Sequence, residues 1–141
     1  MVRISNIQLI ELLERHGRMP YLTIAKRLGV SETAVRKRVK ALEKEGVIEG
    51  FTILVNPKKL GYEIRAIIGI DAPPERYMEI MELLKVDPNV RRMYISSGDH
   101  MFMAECWFKD SEEMATFIKT LNQKEGIVKV CPAIIHEIVK C

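Results

Sequence analysis

Between two amphipathic stretches the chain leaves only Gly29-Val30-Ser31 in which to stop one helix and start the next. Glycine tolerates the left-handed conformation that ends a helix, and a serine hydroxyl accepts an orphan N–H at the start of another. Leu22, Ile24, Ala25 and Leu28 line the inner side of the stretch before this turn, and Pro20 suits its first turn. After it, Val35, Val39 and Leu42 recur at helical spacing, Glu32 favours the first turn, and Gly46 ends the run. Another helix precedes the pair. Ser5-Asn6-Ile7-Gln8 has the form of a capping box, and Ile7, Leu9, Ile10, Leu12 and Leu13 give a broad apolar face up to Gly17. Three short helices, two of them tightly linked, describe a helix-turn-helix.

The third helix has an unusual outer side. At about 100° per residue with Val35 set at zero, Thr33, Lys37, Lys40 and Lys44 lie within about 40° of the side opposite the core stripe. Arg36 and Arg38 flank that stripe, and Ala34 and Ala41 are small. A helix with small and basic residues outward fits the major groove of duplex DNA. Thr33, Arg36 and Lys37, close to the helix start at Ser31, are placed to meet base edges, whereas Arg38, Lys40 and Lys44 are placed to hold phosphates. A charge run on any surface helix can also be merely solvated. Its position in a tri-helical unit is what favours DNA here.

Charge is distributed to match. The net charge is only +3, but residues 1–50 hold ten lysines and arginines against six acids, while residues 51–141 hold twelve against thirteen. The positive excess therefore belongs to the first module, which points to an anionic partner for it alone. With 48% hydrophobic residues the 141-residue chain can bury a core. No apolar run is long enough to cross a bilayer, and Met1-Val-Arg-Ile-Ser-Asn6 lacks the apolar stretch of a secretory signal. Cys106, Cys131 and Cys141 are too few and scattered for a disulfide framework or a zinc site and suit a reducing cytoplasm. No metal and no cofactor is expected.

Val47 to Val55 alternates and is expected to be a strand leaving the first module, with Asn56-Pro57-Lys58-Lys59-Leu60-Gly61 as a polar linker. Beyond it the pattern reads strand (63–72), helix (74–86, with Tyr77, Ile80, Met81 and Leu84 inward), strand (90–97) and strand (101–108). A tight two-residue turn at Gly98-Asp99 joins the last two. A helix (110–124, with Met114, Ala115, Ile118 and Leu121 inward) and a last strand (127–139), bent around Pro132, complete it. The order βαββαβ predicts an antiparallel four-stranded sheet with both helices on one face, the ferredoxin-like arrangement. The expected class is α+β, with a winged-helix-like module over 1–50, a hinge strand and linker over 51–61, and the ferredoxin-like domain over 62–141.

On that sheet the face without helices should be polar. Instead neither strand offers a cleanly wet face: Ile64, Ala66, Ile68 and Ile70 oppose Arg65, Ile67, Gly69 and Asp71 on one, and Phe102, Ala104, Cys106 and Phe108 oppose Met101, Met103, Glu105 and Trp107 on another. The apolar surplus predicts a second copy of the chain against that face, as a homodimer or higher oligomer. The alternative is a cover supplied by loops or by the first module.

Taken in order, Ile24-Ala-Lys-Arg-Leu-Gly-Val-Ser-Glu-Thr-Ala-Val-Arg-Lys-Arg-Val-Lys-Ala-Leu-Glu43, Gly46-Val-Ile-Glu-Gly-Phe51, Asn56-Pro-Lys-Lys-Leu-Gly61 and Ser96-Ser-Gly-Asp-His100 resemble the leucine-responsive/AsnC family of transcription regulators, archaeal LrpA-type members in particular. The resemblance implies an N-terminal DNA-binding domain that reads with about residues 21–40, a hinge, and a ferredoxin-like domain that dimerises and often assembles further. It also implies an amino-acid effector at contacts between dimers, carried here by Gly98, Asp99, His100 and Met101. Met101 stands where many amino-acid-responsive members have an acid, and a thioether cannot pair with an ammonium group. The acids usual before the first helix are absent too, and Ser5 supplies a different cap.

Two functions follow. One is a sequence-specific, autoregulatory DNA-binding regulator, not an enzyme, modulated by an amino acid or related metabolite and with no membrane partner. The other is a small-molecule-binding or catalytic ferredoxin-like domain with an incidental helical appendage. For the second, His16, His100 and His136 lie far apart and share no ligand-spaced motif.

Overall fold

The computed structural model describes residues 4–141; Met1, Val2 and Arg3, the start of the expected first module, lie outside them. The chain forms two compact units that divide between Val55 and Asn56.

The first unit holds helices α1 (Asn6–Arg15), α2 (Tyr21–Leu28) and α3 (Glu32–Lys44). Ser5 caps α1, its hydroxyl accepting the Gln8 N–H at 3.3 Å, and Ser31 caps α3 by accepting the Ala34 N–H at 3.1 Å. Gly29 closes α2 with φ 69°, a left-handed conformation that an L side chain would strain. The core is Leu9 and Leu13 from α1, Ile24 and Ala25 from α2, and Val35, Val39 and Leu42 from α3. Two expected inward residues point out instead. Ile7 and Leu22 are exposed, because each lies two residues, about 200° of helix, before a sealed one, Leu9 and Ile24.

The expected strand over 47–55 does not form. Alternation only makes an extended backbone possible, and a strand also needs a ladder partner. Val47 and Ile48 donate to the Leu42 carbonyl at 2.9 and 3.1 Å, which closes α3 rather than opening a sheet. Ile53 and Leu54 are left 75% and 82% exposed.

In the second unit a short 3-10 turn (Pro57–Leu60) leads into β1 (Ile64–Asp71). A second 3-10 turn (Pro74–Arg76) opens α4 (Tyr77–Lys85), and β2 (Val90–Ile95), β3 (Phe102–Phe108), α5 (Ser111–Gln123) and β4 (Lys129–Ile134) follow. The strands lie in the order β2-β3-β1-β4, all neighbours antiparallel, so β1 and β3 are central. This is the expected βαββαβ sheet. Ala66, Ile68 and Ile70 of β1 and Phe102, Ala104, Cys106 and Phe108 of β3 are fully buried, packed with Ile80 and Leu84 of α4 and Phe117 and Leu121 of α5. On α5 the inward residue is Phe117, and Ala115 is exposed. Residues 114, 117, 118 and 121 form the true stripe at helical spacing, and position 115 lies about 100° from 114. The last strand stops at Ile134 rather than Val139; Pro132 sits within it because β4 is an edge strand.

Candidate nucleic-acid interface and effector turn

In α3 the three core residues are sealed, with Val35 and Val39 at 0% and Leu42 at 1% exposure. The same rotation puts Ser31, Thr33, Lys37, Lys40 and Lys44 in solvent. Among the described residues the three lysines have no ion-pair partner, so their charge is available to an external anion. The two arginines are held within the unit. Arg38 donates through Nη1 to the Asn6 side chain at 2.8 Å and to the Ile4 carbonyl at 3.4 Å, which braces the start of α1 against α3. Arg36 pairs through Nη2 with the Glu32 carboxylate at 2.7 Å, one helical turn back, and lies over the Tyr21 ring with 5.4 Å to its centroid. The Arg38 partnership leaves no mark in the charge pattern. The Arg36–Glu32 spacing could have been read as an i,i+4 pair, but Tyr21 lies on another helix.

The second site residues sit at the end of the β2–β3 hairpin. The two-residue turn expected at Gly98-Asp99 is replaced by a longer connection. The last ladder contact is Ser96 N–H to the Met101 carbonyl at 2.8 Å, leaving four residues, 97–100, to cross. Asp71 explains the difference. One of its carboxylate oxygens accepts the Met101 N–H at 2.9 Å and the other accepts from His100 Nδ1 at 2.7 Å, so residues 100–101 are drawn towards the end of β1. An ionised carboxylate only accepts, which makes Nδ1 the protonated ring nitrogen. The imidazole then lies over Gly69, where a Cβ would collide with the His100 ring. Ser96 Oγ donates to the His100 carbonyl at 2.6 Å and completes the clasp. Gly98 and Asp99 are left exposed, and the Met101 amide is already used. Sequence reading missed Asp71 and Gly69; a lone acid ending an apolar strand was the available signal.

Partial burial pushes the Asp71 carboxyl up, but the hydrogen bonds from His100 and Met101, with the charges of His100 and Lys129, outweigh it and hold the group below its ordinary value. A depressed carboxylate stabilises the fold fully above its unfolded value, about 3.9, and loses that contribution as the pH falls through the folded value. Asp71→Asn should therefore cost about 1–3 kcal/mol at neutral pH. The variant should also lack the part of the wild-type acid transition below about pH 4 that this carboxylate drives. Chemical denaturation across pH 2–7 checks both.

The helix-free face of the sheet carries a third cluster. Trp107 is 6% exposed, its Nε1 donates to Glu105 at 3.0 Å, and Arg91 covers its ring at 4.1 Å from the centroid. Arg65 pairs with the same Glu105 oxygen at 3.3 Å, and the Tyr62 ring lies 5.7 Å away. Cys106, on the opposite face, is a buried thiol pushed up to about 12 by desolvation, so it has no nucleophilic role. Among the described residues no cluster of three or more His, Cys, Asp or Glu could hold a metal, and no helix is long and apolar enough to cross a membrane.

Residues 3–49 match the winged helix-turn-helix DNA-binding family, and residues 65–141 match the Lrp/AsnC ligand binding domain. The chain belongs to the Lrp/AsnC family of transcription regulators. It is 53% identical over 133 residues to the HTH-type transcriptional regulator LrpA of Pyrococcus horikoshii, covering 94% of each chain, and 53% identical to LrpA of Pyrococcus abyssi over the same shares. Its fold is that of a Neisseria meningitidis transcriptional regulator solved as a complex with L-Met (TM-score 0.87, 17% identity, 99% of this chain and 94% of that one). It is likewise that of Escherichia coli AsnC (TM-score 0.81, 24% identity, 99% and 96%). The function is accordingly that of a transcription regulator, with a helix-turn-helix of the DNA-binding kind and a C-terminal domain of the ligand-binding kind.

Proposed function

We propose that this chain binds operator DNA in the cytoplasm, its own promoter included, as a self-associated particle. Residues 1–50 read DNA, 51–61 link, and 62–141 hold the copies together and take an effector. The observation that carries this reading is the division of α3: three sealed apolar residues on one side, and Thr33, Lys37, Lys40 and Lys44 in solvent on the other. Self-association rests on the helix-free sheet face, where Ile67 is exposed at its centre beside Trp107 and Met103. Paired third helices about one DNA turn (34–36 Å) apart would then read two half-sites.

The effector reading rests on the turn Gly98-Asp99-His100-Met101 and on the amino acid held by the Neisseria regulator. A free amino acid or related small metabolite is the class to test. With the Met101 N–H already donated to Asp71, an effector's carboxylate must find its donor elsewhere, and Asp99 is the exposed acid of the turn that can accept from its ammonium group.

Selection of fragments from random DNA, with and without an amino-acid mixture, followed by salt titration of the winner, tests the reading. Three lysine–phosphate contacts on each of two helices give a slope of log K against log salt of about −5. A palindromic site with that slope is the expected result. No retention of duplex at low salt would end this reading.

A further inference from the structure

Resting on that DNA-binding reading, we propose that Glu32 and Tyr21 are positioning residues that aim Arg36 at a guanine edge, so that Arg36 reads sequence while the α3 lysines supply affinity. The Arg36 guanidinium is restrained twice. Its Nη2 is held by the Glu32 carboxylate at 2.7 Å, and its Cζ lies over the ring of Tyr21 of α2, 5.4 Å from the centroid. Arginine has five donors in a planar fork and Glu32 takes one, which leaves enough for the two acceptors, N7 and O6, that guanine presents in the major groove. Ordering a long side chain before binding removes part of the entropy lost on contact. Lys37, Lys40 and Lys44, in contrast, have no partner of this kind among the described residues and suit phosphates, which tolerate a mobile point charge.

The acid itself favours a positioning role. Glu32 is half-exposed in the first turn of α3, the end at which recognition helices approach bases. An unpaired carboxylate there would repel every duplex. Paired with Arg36, it instead fixes a cation that lies between the core stripe and the outer lysines, about 100° from Val35, while Arg38 on the other flank is turned to Asn6 and the Ile4 carbonyl.

Two roles for Glu32 therefore give opposite results. For full-length wild type, Arg36→Ala, Glu32→Gln and Tyr21→Leu, affinity is measured for the selected operator and for operators with each guanine replaced, and the salt slope is measured on each. If Glu32 positions Arg36, Glu32→Gln loses about tenfold in discrimination at one base pair per half-site, in the range of a single bidentate contact, while its salt slope stays at the wild-type value. Tyr21→Leu loses discrimination at that same base pair, and Arg36→Ala abolishes it. If Glu32 is only a repulsive charge, Glu32→Gln binds all sequences more tightly with discrimination intact, and the proposal is overturned. It is equally overturned if Arg36→Ala leaves every guanine preference in place. A wild-type protein that binds DNA without any preference overturns this inference alone, whereas one that binds no duplex removes the DNA-binding reading as well.

Discussion

Replacing Lys37, Lys40 and Lys44 together by alanine should reduce DNA affinity about a hundredfold for each helix engaged at 0.2 M salt. Each lysine that neutralises a phosphate releases close to one condensed counterion, worth about 0.6 log units at that concentration, and three act on each helix. The salt slope should fall by about 1 for each lysine removed per helix. The fold should be untouched, since all three side chains are exposed and contribute nothing to the packing of Val35, Val39 and Leu42. Alanine also suits a helix at least as well as lysine. Equilibrium binding by fluorescence anisotropy at several salt concentrations, with circular dichroism of the free protein, separates the two effects. A variant with wild-type slope would place the DNA on some other surface. Arg38→Ala should behave differently, because its guanidinium also holds Asn6 and the Ile4 carbonyl, and its loss loosens α1 as well.

The contrast between those residues marks what a sequence can reveal. The apolar stripe of α3 and its outer lysines follow from a 3.6-residue period, and Gly29 and Ser31 punctuate it through local conformation alone. All four are short-range properties, so they were legible. The sheet order was legible too, because right-handed crossovers leave few ways to arrange βαββαβ. What escaped depends on partners distant in the chain. Asp71 meets residues 29 and 30 positions later, Arg38 reaches Asn6 across 32, and Arg36 finds a ring on another helix. No periodicity encodes such contacts. Ile7 and Leu22 fail for a different reason: apolar character says that a residue can be buried, while its angle on the helix, about 200° from Leu9 and Ile24, decides whether it is. At 47–55 the apolar, β-favouring residues allow an extended backbone, but a strand is a relation between two segments, and none of the described residues pairs with this one.

The same logic bears on the open sheet face, where Trp107→Ala should cost about 3–5 kcal/mol of stability and weaken self-association together. The ring is nearly sealed by residues of its own unit: Arg91 above it, Arg65 and Tyr62 beside it, and Glu105 on its Nε1. Truncation removes that apolar platform and leaves Arg91 without its ring and Glu105 without the indole donor. Denaturant unfolding should report the loss in stability, and light scattering should report a lower mass at a given concentration. Ile67 separates the two effects. It lies on the same face, opposite Glu105 in the ladder, but is 36% exposed, so Ile67→Lys removes little packing within the chain. A charge placed there confronts its own copy across a two-fold contact, where like charges meet. That variant should keep its secondary structure and lose mass. If both variants retain the wild-type mass, the copies do not meet on this face, and the surplus of apolar residues on β1 and β3 answers to some other cover.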